Sequence, residues 1–272
     1  MSSIGPGAGR YATSVPDANQ PDRGRAADQP VALNGIFNVR DVGGLATSNG
    51  RRVARGRLLR AAALHDASER DVATLHAWGV TLNIDLRDPA EIAFTGRGRL
   101  ESAEIDFVNH SLSFDRLMQR AADPNAPLAP LATRYLDYLE QGPSAIVAAV
   151  EEIAVASNHA VLVNCFFGKD RTGVLIALVL EALGVERDAV VADYARSAAP
   201  VAAMVARLAS DPVYAETITR TDPSRFAADP RTMVDFLETL DRRDGGALGW
   251  LRNAGLADET VDRLRAALLE PS

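Results

Sequence analysis

The apolar run Ala160-Val161-Leu162-Val163 stops at Asn164, passes through CFFGKDRTG (165–173) and resumes as VLIALVLEALG (174–184). No other stretch restricts the fold as strongly. A short β-compatible run closed by a glycine-containing loop reads as a buried strand. The apolar run behind it holds no Gly or Pro before Gly184, so it reads as a helix that stops there. A strand whose loop turns straight into an apolar helix demands a sheet with helices packed on its faces.

The remaining patterns agree. GVTLNIDL (79–86) reads as a second buried strand, after a helical stretch from Ser68 to Trp78 with Asp66 or Ser68 as cap and Gly79 as stop. RLLRAA (57–62) and EIDFVNH (104–110) are shorter strand candidates, and a helical stretch from Pro143 to Ala156 precedes AVLVN. After residue 184 only helical patterns follow, at 186–197, 199–209, 230–241, 245–254 and 257–269. Strands alternating with helices, then helices alone, predict a three-layer α/β fold. It has a central, mostly parallel sheet flanked by helices and a helical C-terminal portion. Residues 1–30, rich in Gly and Pro and poor in apolar side chains, read as a flexible tail. Residues 31–272, with no linker or repeat, read as a single domain.

Composition removes several function classes. The net charge of -7 argues against nucleic acid or an anionic membrane as the main partner. One cysteine cannot make an internal disulfide. The longest apolar stretch meets Glu181 too early to span a bilayer, and the N-terminal residues lack a signal-peptide pattern, so the expected location is cytoplasmic. His65, His76, His110 and His159 show no ligand spacing with one another or with Cys165, so no metal and no cofactor is expected.

What remains is the loop, which contains the only cysteine, Cys165, and the only lysine, Lys169, in a chain that otherwise uses arginine. A helix starting near Thr172 points its free N–H groups back at the loop. Gly168 permits torsions that turn successive amides inward into an anion nest. Arg171 can clamp a tetrahedral oxyanion with two prongs. Cys165 sits at the base of the loop, where the same field favours a thiolate. An isolated cysteine at a strand end is usually a small core residue. The Cys-x5-Arg spacing, with Gly168, Thr172 and Gly173 in register, points instead to in-line attack of a thiolate on phosphorus.

CFFGKDRTG resembles the signature loop of the cysteine-dependent protein tyrosine phosphatases, in particular the bacterial dual- or triple-specificity branch with Cys-x-x-Gly-Lys-Asp-Arg-Thr-Gly. FNVRDVGGL (37–45), GRLLRAAAL (56–64) and IDLRDPAEI (84–92) are similar to further elements of that family. So are ALVLEALGVERDAVVADYARS (177–197) and GWLRNAGLADETVDRLRAALL (249–269). The resemblance implies a tyrosine-phosphatase-like fold and a phosphomonoesterase. Cys165 would be the nucleophile and Arg171 the phosphoryl clamp. Asp170 would be the general acid, or would simply pair with Arg40, Arg60 or Arg87. Lys169 would set a point charge at the pocket mouth, or would be solvated. Thr172 would hydrogen-bond the thiolate. Phe166, Phe167 and Gly168 complete the phosphate-binding loop, the two phenylalanines as pocket wall or as core. Arg40, Asp41 and Arg87 are expected to form a buried lattice that supports the loop.

Two departures from the family pattern bear on function. Asn164 stands where a histidine usually precedes the cysteine, and it can hydrogen-bond but never carry a proton. That predicts a weaker thiolate bias or a shifted pH optimum. DPAEIAF (88–94) holds no basic residue and 111–130 is rich in Ala and Pro, which weakens a phosphoinositide substrate. The expected partner is a phosphorylated substrate, either a phosphotyrosine or phosphoserine protein or a small phosphorylated metabolite. A catalytically silent phosphate-binding module and a phosphoinositide phosphatase are the alternatives. Residues 201–218 read as a lid or as an ordinary surface helix.

Overall fold

In the computed structural model, the described residues are 33–112, 129–155 and 160–271. The expected N-terminal tail, most of the 111–130 segment and His159 lie outside them. Ala160–Asn164 is the central strand, β5, of a sheet whose other strands, among the described residues, are β1 (Arg40–Asp41), β2 (Leu58–Ala61), β3 (Val80–Asp85) and β4 (Asp106–Asn109). The order is β1-β2-β5-β3-β4, with only the β1–β2 pair antiparallel. The interior strands are apolar along their length because both faces are covered, as in other parallel sheets. Leu58, Ile84, Val161 and Val163 enter the larger core, while Leu59, Val80, Ala160 and Leu162 enter the smaller one. This alternation is the period-two geometry of a strand made visible.

The smaller core is closed by α1 (Glu69–Ala77), which begins in a capping box. Asp71 N donates to Ser68 Oγ at 3.2 Å, and Ser68 N donates to Asp71 Oδ2 at 2.8 Å. The helices α2 (Pro89–Thr95), α3 (Leu131–Gln141) and α4 (Pro143–Val155) precede β5, and α5 (Asp170–Ala182) follows it. Every side chain from Val174 to Leu180 is at most 1% exposed. An all-round apolar helix must be an interior helix, and α5 is one. Around it lie α6 (Arg187–Ala195), α9 (Pro230–Asp244), α10 (Ala247–Asn253) and α11 (Asp258–Leu268); α7 (Ala198–Ala209) and α8 (Ala215–Arg220) run along the side of the loop.

Strands and helices thus follow the sequence pattern, with boundary shifts of a few residues. Three helices were not foreseen. None of α2's residues is buried, so it has no apolar stripe to read; a capping box and a proline in its first turn hold it. The helix α3 buries only Tyr135, Tyr138 and Leu139 along one face, and α8 is six residues long. One shift matters: α5 starts at Asp170 rather than near Thr172, placing Asp170 and Arg171 in its first turn.

The sheet edge is tied to α6 by charge. Asp193 Oδ1 accepts from Arg40 Nε at 2.8 Å and Asp193 Oδ2 from Arg60 Nη1 at 2.6 Å. All three side chains are buried or nearly so. Burial alone would raise the Asp193 pKa, but Arg60 and Arg40 hold it down at about 2. Removing one member of a buried ion pair leaves an uncompensated charge and costs about 3–5 kcal/mol. Asp193→Ala is therefore expected to destabilise the protein by that order, measured by urea unfolding at neutral pH. Because the native pKa is depressed, the contribution of Asp193 is complete above its ordinary value of 3.8 and is lost as pH falls toward 2. The gap between wild type and Asp193→Asn should narrow across that window.

Candidate active site

At the C-terminal end of β5 the backbone turns over, and three successive carbonyls show how. Phe166 O accepts from Ala63 N at 3.0 Å, Phe167 O from Asn38 Nδ2 at 3.0 Å, and Gly168 O from both Asn38 Nδ2 at 3.0 Å and Arg60 Nη2 at 2.8 Å. With their carbonyls fastened outward, these peptide units turn their N–H groups toward the loop's centre. Among the described residues, the amides of Phe166 to Asp170 donate to no protein acceptor. Converging free amides at a helix N-terminus form an anion site. Gly168 is required twice over: its φ is +64°, and a Cβ there would stand 2.3 Å from Ala61 O. Asn38, itself at φ +53°, is oriented by Arg40 Nη1, which donates to its Oδ1 at 2.5 Å.

Cys165 is 1% exposed at the floor of this nest. Arg171, in the first turn of α5, is 3% exposed and pairs through both terminal nitrogens with Glu91 of α2, at 2.5 and 2.9 Å. Burial opposes the Arg171 charge, but Glu91 and a thiolate at Cys165 outweigh it and raise its proton affinity. Burial would likewise raise Glu91, whose bonds to Arg171 hold it below the ordinary range. The same carboxylate closes the capping box of α2, accepting from Asp88 N at 2.8 Å. One backbone motif thus aims the carboxylate that aims the guanidinium. Thr172 is fully buried, and its hydroxyl has no partner among the described residues.

Lys169 does not stand where the resemblance implied. Its side chain is fully buried, and Nζ donates to Arg225 O at 2.7 Å and Ala227 O at 2.8 Å. The ammonium ties the signature loop to the 223–229 segment and does not reach the pocket mouth. Arg134 and Arg225, both half-buried, act electrostatically on each other and on Asp170. Asp170 itself pairs with none of Arg40, Arg60 or Arg87. Its Oδ1 accepts from Tyr135 Oη at 2.7 Å and lies 3.3 Å from Lys169 Nζ. Burial would raise its pKa, yet Lys169, Arg134 and the Tyr135 bond hold it below the usual carboxylate value.

The expected supporting lattice exists with a partly different membership. Arg40 belongs to it, together with Arg60, Asp193 and Asn38. Asp41 is occupied elsewhere: its carboxylate accepts from Gly43 N and Gly56 N, each at 2.8 Å, pinning the turn before β2. Arg87 grips Asp85 and reaches Thr95 Oγ1 at 2.7 Å, so it secures the end of α2 and bonds no residue of the loop. Asn164 turns sideways in the sheet; its Oδ1 accepts from Asn83 Nδ2 at 2.6 Å and its own amide nitrogen has no partner among the described residues. Phe166 and Phe167 stand outside the main core. With Ala62, Met204, Leu208, Tyr214 and Ile218 they form a separate cluster beneath α7 and α8, and Phe226 closes on Phe167 with ring centroids 5.6 Å apart. The 201–218 stretch therefore packs against the loop's aromatic side.

Sequence reasoning passed over Asn38, Glu91, Asp193 and Tyr135, and took Arg60 only as an ion-pair option. Four of these five sit inside segments that carry the family resemblance, so their signal was present. Tyr135 had none.

Comparisons with known proteins give the family. Residues 31–270 match the model of the tyrosine phosphatase family. The chain is 33% identical to the triple specificity protein phosphatase PtpB of Mycobacterium tuberculosis, covering 87% of this chain and 98% of that protein. It is 34% identical to a putative tyrosine-protein phosphatase of Cupriavidus necator over 61% of this chain and 62% of the relative. Among solved structures, TpbA of P. aeruginosa aligns with 80% of this chain and 89% of its own, at 16% identity and a TM-score of 0.36. A thiol and an arginine six positions apart on an inverted loop, inside a family match that spans most of the sequence, place this chain in the tyrosine phosphatase family as a cysteine-dependent phosphatase.

Proposed function

We propose that the protein hydrolyses phosphate monoesters through a cysteinyl-phosphate intermediate built on Cys165. The observation that carries this is the meeting in one loop of a buried thiol, five amides with no acceptor among the described residues and a Glu91-held guanidinium. In the first step Cys165 Sγ attacks phosphorus; the S–P bond forms, the ester P–O bond breaks, and Asp170 gives its proton to the leaving oxygen. Asp170 rests as a carboxylate, and a bound phosphate dianion raises its proton affinity as a neighbouring like charge does. In the second step water attacks phosphorus and yields its proton to Asp170, and the thiolate leaves. Arg171 and the loop amides carry the equatorial oxygens in both transition states. Thr172 steadies the departing thiolate.

The substrate reading is a phosphotyrosine or phosphoserine protein or a small phosphorylated metabolite. Phe166, Phe167 and Phe226 pack edge-on beside the loop, and that aromatic side suits an aromatic or apolar group next to the phosphate. The name of the Mycobacterium tuberculosis relative, a triple specificity phosphatase, is compatible with a broad range.

Purified protein in EDTA should release nitrophenol from p-nitrophenyl phosphate, and Cys165→Ser should abolish release while retaining vanadate binding. Turnover unchanged in Cys165→Ser sinks the mechanism, and a silent wild type that binds vanadate makes this a phosphate-binding module. Glu91→Gln removes the charge that holds the Arg171 guanidinium; kcat/KM should fall about ten- to a hundredfold, a loss larger than the accompanying drop in the melting temperature accounts for. Lys169→Met should lower stability by about 1–3 kcal/mol, since two carbonyls lose a buried donor. The ratio of activities on a bisphosphate and a monophosphate substrate should stay as it is. A selective loss of bisphosphate activity would restore Lys169 as a substrate charge.

A further inference from the structure

Asp170 is held from one side only. Tyr135 Oη and Lys169 Nζ both converge on Oδ1. Oδ2 has no hydrogen-bond partner among the described residues, and the side chain keeps 14% exposure, so Oδ2 is the oxygen left open. Behind Tyr135 stands a second phenol: Tyr135 Oη and Tyr194 Oη are 2.7 Å apart. A carboxylate only accepts, so the single Tyr135 hydrogen points at Asp170, and Tyr194 must donate to Tyr135. The order of donation is therefore Tyr194 to Tyr135 to Asp170.

We infer that Tyr135, backed by Tyr194, is the positioning residue that makes Asp170 a one-sided acid, fixing Oδ1 and leaving Oδ2 to exchange the proton. This rests on the reading of Asp170 as the general acid. The two phenols do not themselves pass protons, because burial and the charge of Asp170 raise both far from neutrality. They act as fixed neutral donors. Their rings cannot swing away: Tyr135 is packed edge-on against Tyr194 and Phe236, and Tyr194 lies against Gly173, where a Cβ would approach its ring to 3.1 Å. The other charged and titratable groups facing Asp170 are Lys169 on the loop, Arg134 and Tyr138 on α3, and Arg225 from the 223–229 segment. Removing the Tyr135 hydroxyl leaves all of these in place, which makes the deletion clean.

The test compares two esters with different needs for an acid. Phenoxide leaves poorly and needs a proton, whereas nitrophenoxide leaves well without one. Tyr135→Phe should lower kcat on phenyl phosphate about tenfold while changing kcat on p-nitrophenyl phosphate little. The limb of the phenyl phosphate profile that falls with rising pH should move up by about one unit, because the ionised form of Asp170 has lost a donor. Asp170→Asn should impose the larger loss, about a hundredfold, and Tyr135→Phe in that background should add nothing. Equal losses on both esters, or an unmoved pH limb, would overturn the role of Tyr135. If Asp170→Asn itself leaves phenyl phosphate turnover intact, the reading of Asp170 as acid fails first, and Tyr135→Phe is then expected to be silent. Should Tyr135→Phe not fold, Tyr194→Phe serves in its place. It should give a smaller shift in the same direction, and no shift would count against the inference.

Discussion

Everything at this site depends on the loop after β5 being turned inside out. A peptide chain leaving a strand has no reason to leave five consecutive amides without an acceptor, since each forfeits a hydrogen bond. The cost is met on the outer side, where Asn38, Arg60 and Ala63 N take the carbonyls of residues 166–168. Those donors are themselves fastened, Asn38 by Arg40 and both arginines by Asp193. A positive centre is thus preorganised before any anion arrives, and that is the form in which electrostatics accelerates a reaction.

A second chain of constraint reaches Arg171 from the opposite side. The turn after β3 brings Asp85, Arg87 and Asp88 together; Asp88 starts α2, and the capping box places Glu91 against the guanidinium. Lys169 forms a third attachment, to the 223–229 segment. Loop, α2 and the C-terminal helices are therefore anchored to one another through charged groups at the pocket, while the apolar cores lie beneath. The lysine's compact ammonium meets two carbonyls and Asp170 at a single point, a geometry that arginine's planar fork does not reproduce.

The sheet, the buried helix α5 and the loop's chemistry were legible because each rests on local pattern. Period-two alternation, an unbroken apolar run and a fixed Cys-to-Arg spacing all survive without knowledge of distant partners. The short helix α2 was not legible, since it has no buried stripe and is held by caps. Asn164 illustrates the limit differently. Its identity was conspicuous, but its side chain bonds Asn83 across the sheet, a partner 81 residues away that no local pattern nominates.

By itself the sequence determined the class of fold and the Cys-to-Arg spacing of the loop, because short-range stereochemistry and solvent aversion write themselves into spacing. Only the tertiary structure decided which charges serve the pocket. It withdrew Lys169 into a strut, moved Asp41 to a turn, brought Asp193 and Glu91 in, and set Tyr135 against Asp170. The reason is that a charge acts through distance and burial, and those are fixed only when segments far apart in the chain are packed together.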